Sequence, residues 1–129
     1  MGRKRPSRGR QFYRPPTTIP GVPQRTCDAL DRLDEFELSA ASVKEALDRW
    51  YCYTRIPTGQ RRLEKDPSDE DAGERARTTL DAAVAALEER EARPLRRLIA
   101  AMDERFLATT VPDPSVPATR PWWQRRDWF

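Results

Sequence analysis

The sequence predicts an all-α fold, a small bundle of three or four helices that carries an extended segment at each end. Two observations lead to this prediction. Apolar residues recur at helical spacing through the middle of the chain, and prolines cluster at both ends. The apolar share of the 129 residues is 37%, which suffices for one domain with a modest core. We therefore divide the chain into a basic arm (residues 1–23), a helical bundle (24–110) and a tail rich in proline and tryptophan (111–129).

The basic arm has a net charge of +6, because it contains six basic residues and no acidic one. These residues are Arg3, Lys4, Arg5, Arg8, Arg10 and Arg14. Five prolines and the lack of apolar periodicity predict that the arm is extended and disordered. Its charge favours salt-dependent, non-specific binding to the phosphates of a nucleic acid. A segment that only improves solubility would have the same composition.

The bundle begins with two predicted helices. The first starts at about residue 26 and has apolar residues at three-residue spacing: Cys27, Leu30 and Leu33. Ser39 and Ser42 are both candidate N-caps of the second helix, and Ser42 with Glu45 forms a capping-box pattern. The apolar face of this helix consists of Val43, Ala46, Leu47, Trp50 and Tyr51. We expect it to end at about Arg55, before a Pro-Thr-Gly sequence.

A third helix is predicted from Ser68, because three acidic residues follow this serine and suit the positive end of a helix dipole. Its apolar positions are separated by four, four, three and four residues: Ala72, Ala76, Leu80, Ala83 and Leu87. This stripe is narrow and rich in alanine. Another helix or a large aromatic side chain can therefore approach it closely.

Pro94 leaves two alternatives for the next segment. It either opens a fourth helix at the first helical position or kinks a helix that continues from the third. The apolar face continues to about Thr109 through Leu95, Leu98, Ile99, Met102 and Phe106. Beyond Val111 the chain contains four prolines, which exclude a helix and favour polyproline II.

The tail holds three of the four tryptophans within the last eight residues. Tryptophan gains more from burial than other side chains, so we expect the tail to dock on a surface. Its candidate partner-binding residues are Trp122, Trp123, Arg125, Arg126, Trp128 and Phe129. The thin aliphatic core favours docking on the chain's own bundle. The groove of a protein partner and a membrane interface are the alternatives, and Asp127 weighs against the membrane.

The residue types that most catalytic and metal chemistry requires are missing. The sequence has no histidine, which removes Ser-His-Asp and Cys-His catalysis and histidine-containing zinc sites. Its two cysteines, Cys27 and Cys52, are too few for a four-thiolate site and are typical of a reduced, cytoplasmic protein. There is no glycine-rich phosphate loop. We therefore predict no catalytic residue, no metal and no cofactor.

The last third of the chain contains four short runs that carry a resemblance: Leu95-Arg96-Arg97-Leu98, Asp103-Glu104-Arg105-Phe106-Leu107, Pro112-Asp113-Pro114 and Pro121-Trp122-Trp123. In these runs the sequence resembles the C-terminal part of small uncharacterised proteins of actinobacteria. The likeness covers about a quarter of the chain. It implies no activity. It implies only that the fourth helix and the tail belong together as one unit.

These observations predict a non-enzymatic, cytoplasmic interaction protein, an adaptor or accessory protein that binds a protein partner through its helical surface or its tail. The alternative is an accessory protein that binds nucleic acid through the basic arm. We expect no signal peptide, because prolines follow the charged start in place of an apolar stretch. No stretch approaches the roughly 18 apolar residues of a membrane-spanning helix, so a membrane partner is disfavoured. The oligomeric state is left open.

Overall fold

The computed structural model describes residues 16–55 and 67–128, apart from the side chains of residues 67–71. The arm residues Arg3, Lys4, Arg5, Arg8, Arg10 and Arg14 lie outside this part of the chain, as does Phe129. The side chain of Ser68, the predicted start of the third helix, also lies outside it.

The described residues form four α-helices, which confirms the predicted all-α bundle. We number them α1 (Gln24–Arg32), α2 (Ala40–Arg55), α3 (Pro67–Ala86) and α4 (Glu89–Ala108). A short 3-10 helix, Phe36–Leu38, joins α1 to α2. The core lies between the four helices, and its fully buried large side chains include Leu30, Trp50, Leu80, Leu95 and Phe106.

The connection between α1 and α2 is fixed by local hydrogen bonds. Asp34 takes a φ of 56°, a left-handed conformation that aspartate tolerates, and α1 ends just before it. Ser39 then caps α2, because its Oγ accepts the backbone N–H of Ser42 at 3.2 Å. The prediction of Ser42 as an alternative N-cap was therefore wrong. Its hydroxyl instead donates to the carbonyl of Phe36 at 2.7 Å and ties the 3-10 helix to α2.

The pair α2 and α3 packs more extensively than any other two helices of the described chain. The alanine-rich stripe of α3 allows this approach, since Ala76 and Ala83 are buried against the core. Gly73 adds to the same stripe. A Cβ atom at this position would overlap the ring of Tyr53, which lies on α2. The absence of a side chain at Gly73 therefore leaves the space that Tyr53 occupies.

Pro94 has neither of its two predicted positions. The third helix ends before Leu87, α4 begins at Glu89, and Pro94 is the sixth residue of α4. Its missing N–H leaves one helical hydrogen bond unmade. Helix α1 contacts the same turn of α4, because the buried hydroxyl of Thr26 donates to the carbonyl of Glu91 at 2.9 Å. Burial of the residues that follow Pro94 then holds the helix together across this site.

The tail is folded more tightly than its prolines predicted. Two three-residue strands, β1 (Thr110–Pro112) and β2 (Arg126–Trp128), form an antiparallel ladder in which Thr110 pairs with Trp128. A second 3-10 helix, Trp122–Gln124, precedes β2. Turns at residues 114–115 and 118–119 reverse the chain between the strands. The prediction of a polyproline II segment was therefore wrong, because long-range pairing of the two ends requires the chain to turn back.

Candidate functional site

The tail aromatics meet a cluster of aromatic side chains from α2 and α4. The ring of Phe106, on α4, lies at the centre of this cluster, 5.0 Å from Trp50 and 5.0 Å from Trp128 between ring centroids. Trp122 approaches the same ring at 6.0 Å. Tyr53 contacts Trp128 edge to face at 5.4 Å. Such pairs each add about 0.5–1.5 kcal/mol beyond the burial of area, so the tail contributes to the core.

A buried ion pair lies beside this cluster and joins α3 to α4. Arg77 donates from Nε to Oδ1 of Asp103 at 2.9 Å and from Nη2 to Oδ2 at 2.8 Å. The indole Nε1 of Trp50 donates to the same Oδ1 at 3.0 Å. The two charged side chains are only 9% and 14% exposed. Three donors occupy the Asp103 carboxylate, so it orients the side chains of Arg77 and Trp50 within the packed core.

The same arginine also holds the tail. The Arg77 guanidinium carbon lies 4.5 Å from the ring centroid of Trp123 and 5.6 Å from that of Trp122. Trp123 is the most buried residue of the tail tryptophans, at 5% exposure. Its indole Nε1 has no hydrogen-bond partner in the described structure. The contact with Arg77 therefore fixes Trp123 through stacking and burial without a hydrogen bond from the indole.

The strands β1 and β2 close a loop of residues 113–125, which we call the C-terminal loop. The N–H of Asp113 donates to the carbonyl of Arg125 at 2.8 Å and completes its base. Arg126 ties β2 to β1, and its Nη2 also donates to the carbonyl of Leu107, in the last turn of α4, at 3.5 Å. Its Nε donates to Oγ1 of Thr110 at 2.7 Å, and its Nη2 donates to the carbonyl of Thr110 at 2.8 Å. The loop therefore projects from the bundle on a fixed base.

The C-terminal loop surrounds an open pocket of about 440 Å³, which we call the loop pocket. Its lining residues are Pro112, Asp113, Pro114, Ser115, Val116, Pro117, Ala118 and Arg125. The Asp113 carboxylate accepts the hydroxyl of Ser115 at 2.6 Å and its backbone N–H at 3.0 Å. Both hydrogen bonds lower the pKa of Asp113 below its ordinary value, and the bond from the Ser115 hydroxyl has the larger effect. Most of the remaining lining is proline, valine and alanine.

Arg125 supplies the cation of the loop pocket. Its side chain is half-buried, and its Nε atom is buried without a hydrogen-bond partner in the described structure. No ion pair joins Arg125 to an acidic residue of the described chain. A buried donor without an acceptor costs about 1–3 kcal/mol. Because Nε is itself buried, a ligand in the loop pocket would contact Arg125 through its Nη atoms, which are not among the buried polar atoms without a partner.

A second concave surface lies between α2, α3 and the first 3-10 helix, and we call it the α2–α3 groove. Its volume is about 370 Å³. Small side chains form its floor, among them Ala46, Ala72 and Ala76. Phe36 stands at its edge with 87% of its surface exposed, the largest exposure among the large apolar residues of the described chain. This ring contributes little to the core.

The structure divides the predicted tail residues into two groups. Trp122, Trp123 and Trp128 face the bundle, and Arg126 is engaged within the ladder. Arg125 alone lines a pocket that is open to solvent. The remaining predicted site residues, Phe129 and the six basic residues of the arm, lie outside the described part of the chain.

Sequence reasoning missed three residues of these surfaces: Arg77, Asp103 and Phe36. Arg77 is one residue beyond Ala76 on the buried stripe of α3, and Asp103 is one residue beyond Met102 on the apolar face of α4. A charged residue at the edge of each buried face is a signal for a partnered interior pair. Phe36 gave no comparable signal, since a lone aromatic between two helices reads equally well as a core residue.

The chain matches no protein-family model, no curated protein and no solved structure. Within residues 16–55 and 67–128, no three metal-ligating side chains come together as a candidate ion site. None of the described helices combines the length and the apolar character that a membrane span requires.

Proposed function

We propose that the protein is a non-enzymatic, cytoplasmic interaction protein that binds a peptide segment of a protein partner in the loop pocket. The observation that carries the proposal is Arg125, a half-buried guanidinium without an ion-pair partner in the described chain, in the lining of a pocket that also contains three prolines. Planar guanidinium groups bind carboxylate and carbonyl oxygens with two parallel hydrogen bonds. The ligand chemistry is therefore an oxygen acceptor beside an apolar side chain.

The rigidity of the C-terminal loop supports this proposal. Binding by a flexible loop loses free energy when the loop becomes ordered, and a loop that is already fixed avoids this loss. Here the base is closed by the β1–β2 ladder, and Trp123 anchors the loop to α3 through Arg77. The tail tryptophans then act on the partner indirectly, because they hold the loop in one conformation.

The size and the lining of the loop pocket also suit a peptide. A volume of about 440 Å³ falls within the range of roughly 300–1,000 Å³ that is typical of ligand sites. Val116 is partly exposed at the pocket, and Pro117 is exposed. These two side chains have little conformational freedom, so apolar contact with a ligand loses little side-chain entropy. A cytoplasmic location is part of the proposal and is supported by Cys27 and Cys52, which are both free thiols.

The test is selection of a random peptide library on the immobilised full-length chain, followed by affinity measurements on the enriched peptides. We expect enrichment of an acidic residue next to an apolar one. Arg125→Ala should weaken these peptides about 10- to 100-fold, the equivalent of one charge-assisted hydrogen bond of about 1.5–3 kcal/mol. Arg120→Ala is the matched control, because Arg120 lies in the same loop, contacts Gln124 and does not line the pocket. Equal affinity of both variants would refute the proposal.

The net charge of +6 in the arm motivates a second candidate function, non-specific binding of nucleic acid. Deletion of residues 1–14 should abolish this binding, and the affinity of the full chain should fall steeply as the salt concentration rises. Binding that survives the deletion, or that does not depend on salt, would rule this function out.

A further inference from the structure

The α2–α3 groove has features that the loop pocket does not explain. Phe36 exposes 87% of its surface, and its backbone carbonyl accepts the Ser42 hydroxyl, which in turn accepts the Ser39 hydroxyl. Folding leaves this ring exposed beside a concave surface, so it gains burial only when another molecule covers it. The groove floor consists of alanines, so it leaves space where a ring can pack.

The charges along the groove have both signs. Glu45 and Arg49 neutralise each other at 3.1 Å. Glu37, on the 3-10 helix, and Arg75, on α3, both line the groove, and neither has an ion-pair partner among the described residues. One surface therefore presents a protruding ring, a recess of small side chains, an unpaired carboxylate and an unpaired guanidinium.

We propose that the occupant of the α2–α3 groove is a second copy of this chain, bound across a two-fold axis. In a two-fold interface the same surface is used by both subunits, so it must be complementary to itself. The groove contains both halves of such a match, a ring beside small side chains and a carboxylate beside a guanidinium. Phe36 of each copy packs over Ala72 and Ala76 of the other, and Glu37 of each copy pairs with Arg75 of the other. A partner with only one of these features would leave the other half of the surface unmatched.

The interface is small, and the dimer is correspondingly weak. Two phenylalanine rings bury about 150–250 Å² each, and complexes with less than about 1,200 Å² of total buried area are typically transient. We expect a dissociation constant in the micromolar range. This proposal does not depend on the proposed function of the loop pocket. A dimer would nevertheless present two C-terminal loops, and a bivalent partner would bind it with increased avidity.

Sedimentation of the full chain over a concentration series from about 5 to about 500 µM tests the proposal. The wild type is expected to shift from monomer to dimer. Phe36→Ser should raise the dissociation constant at least about 10-fold, since it removes the ring from both sides of the interface. Tyr51→Ser is the control, because Tyr51 is also exposed, at 44%, but lies outside the groove. Unchanged melting temperatures would show that both variants are folded.

A charge exchange gives the sharper result. Glu37→Arg alone and Arg75→Glu alone should each weaken the dimer, because like charges then face each other twice. An equimolar mixture of the two variants should form a heterodimer, since both cross-interface pairs regain opposite signs. Restored association on mixing would show that positions 37 and 75 meet across the interface. A wild type that stays monomeric overturns the proposal, as does a mixture that associates no better than its components.

Discussion

The contribution of the Asp103 carboxylate to stability is the most direct consequence of the structure that mutation can test. Asp103→Asn keeps the size of the side chain and one carbonyl oxygen, so the indole of Trp50 retains an acceptor. The substitution removes the negative charge opposite Arg77, whose side chain is 9% exposed. Removal of one partner of a buried ion pair typically costs about 3–5 kcal/mol, because the other charge stays buried without compensation.

The lower end of this range applies here. Arg77 has a second carboxylate, Asp81, at 3.7 Å, and its guanidinium lies over the ring of Trp123. We therefore expect a loss of about 3 kcal/mol in the free energy of unfolding. With an unfolding entropy of about 2.1 cal/mol/K per residue for the roughly 100 described residues, the melting temperature should fall by about 14 °C. Urea titration and thermal unfolding followed by circular dichroism measure both quantities.

Two further variants separate the charge effect from general damage. Asp81→Asn should change stability by less than about 1 kcal/mol, because Asp81 is 64% exposed and its ion pair is screened by water. The double variant Arg77→Met/Asp103→Asn should recover most of the loss, since neither buried charge remains. A loss below about 1 kcal/mol for Asp103→Asn, or a double variant that is no more stable than the single one, would refute the reasoning.

Three other predictions concern packing and pH. Gly73→Ala is expected to cost about 1–2 kcal/mol in a urea titration, because overlap with the ring of Tyr53 exceeds the gain in helix propensity. Trp123→Ala should cost about 3–5 kcal/mol, and Trp123→Phe less than half as much, since phenylalanine keeps an aromatic ring and removes an N–H without an acceptor. Equal thermal destabilisation by these two variants would contradict this. Ser115 lowers the pKa of Asp113 in the folded state. The ionised carboxylate therefore stabilises the loop fully above the unfolded-state pKa of about 3.9, and this stabilisation is lost as the pH falls through the lower folded-state pKa. An NMR titration that gives a midpoint for Asp113 at or above about 3.9 would show that the pKa of this carboxyl is not lowered.

The helices were predictable because their signal is periodic and local. Burial of Ala76, Leu80 and Ala83 follows the spacing that the sequence shows. The errors arose where two local signals competed. Ser39 and Ser42 both fit an N-cap, and only the entry angle from the 3-10 helix decides between them.

The parts that were not predictable depend on contacts between distant residues. The pairing of Thr110 with Trp128 spans the whole C-terminal loop, and its short strands have no alternation that could reveal them. The ion pair of Arg77 with Asp103 joins two helices whose relative rotation the sequence does not specify. Placement of the tryptophans near the bundle followed from the thin core, but the identity of their contacts required the fold.

The contacts of Arg77 predict that the stability of the bundle and the shape of the loop pocket are coupled. Arg77 pairs with Asp103 inside the bundle, and its guanidinium lies against Trp123 at the base of the C-terminal loop. A substitution that removes the partner of this guanidinium changes the surface on which Trp123 stacks. Its effect therefore extends to the C-terminal loop, although the substituted residue does not contact the loop. We expect a shift of Trp123 to move Arg125 as well, because Arg125 directly follows the 3-10 helix Trp122–Gln124. Asp103→Asn is therefore expected to weaken peptides selected on the loop pocket, although Asp103 does not line it.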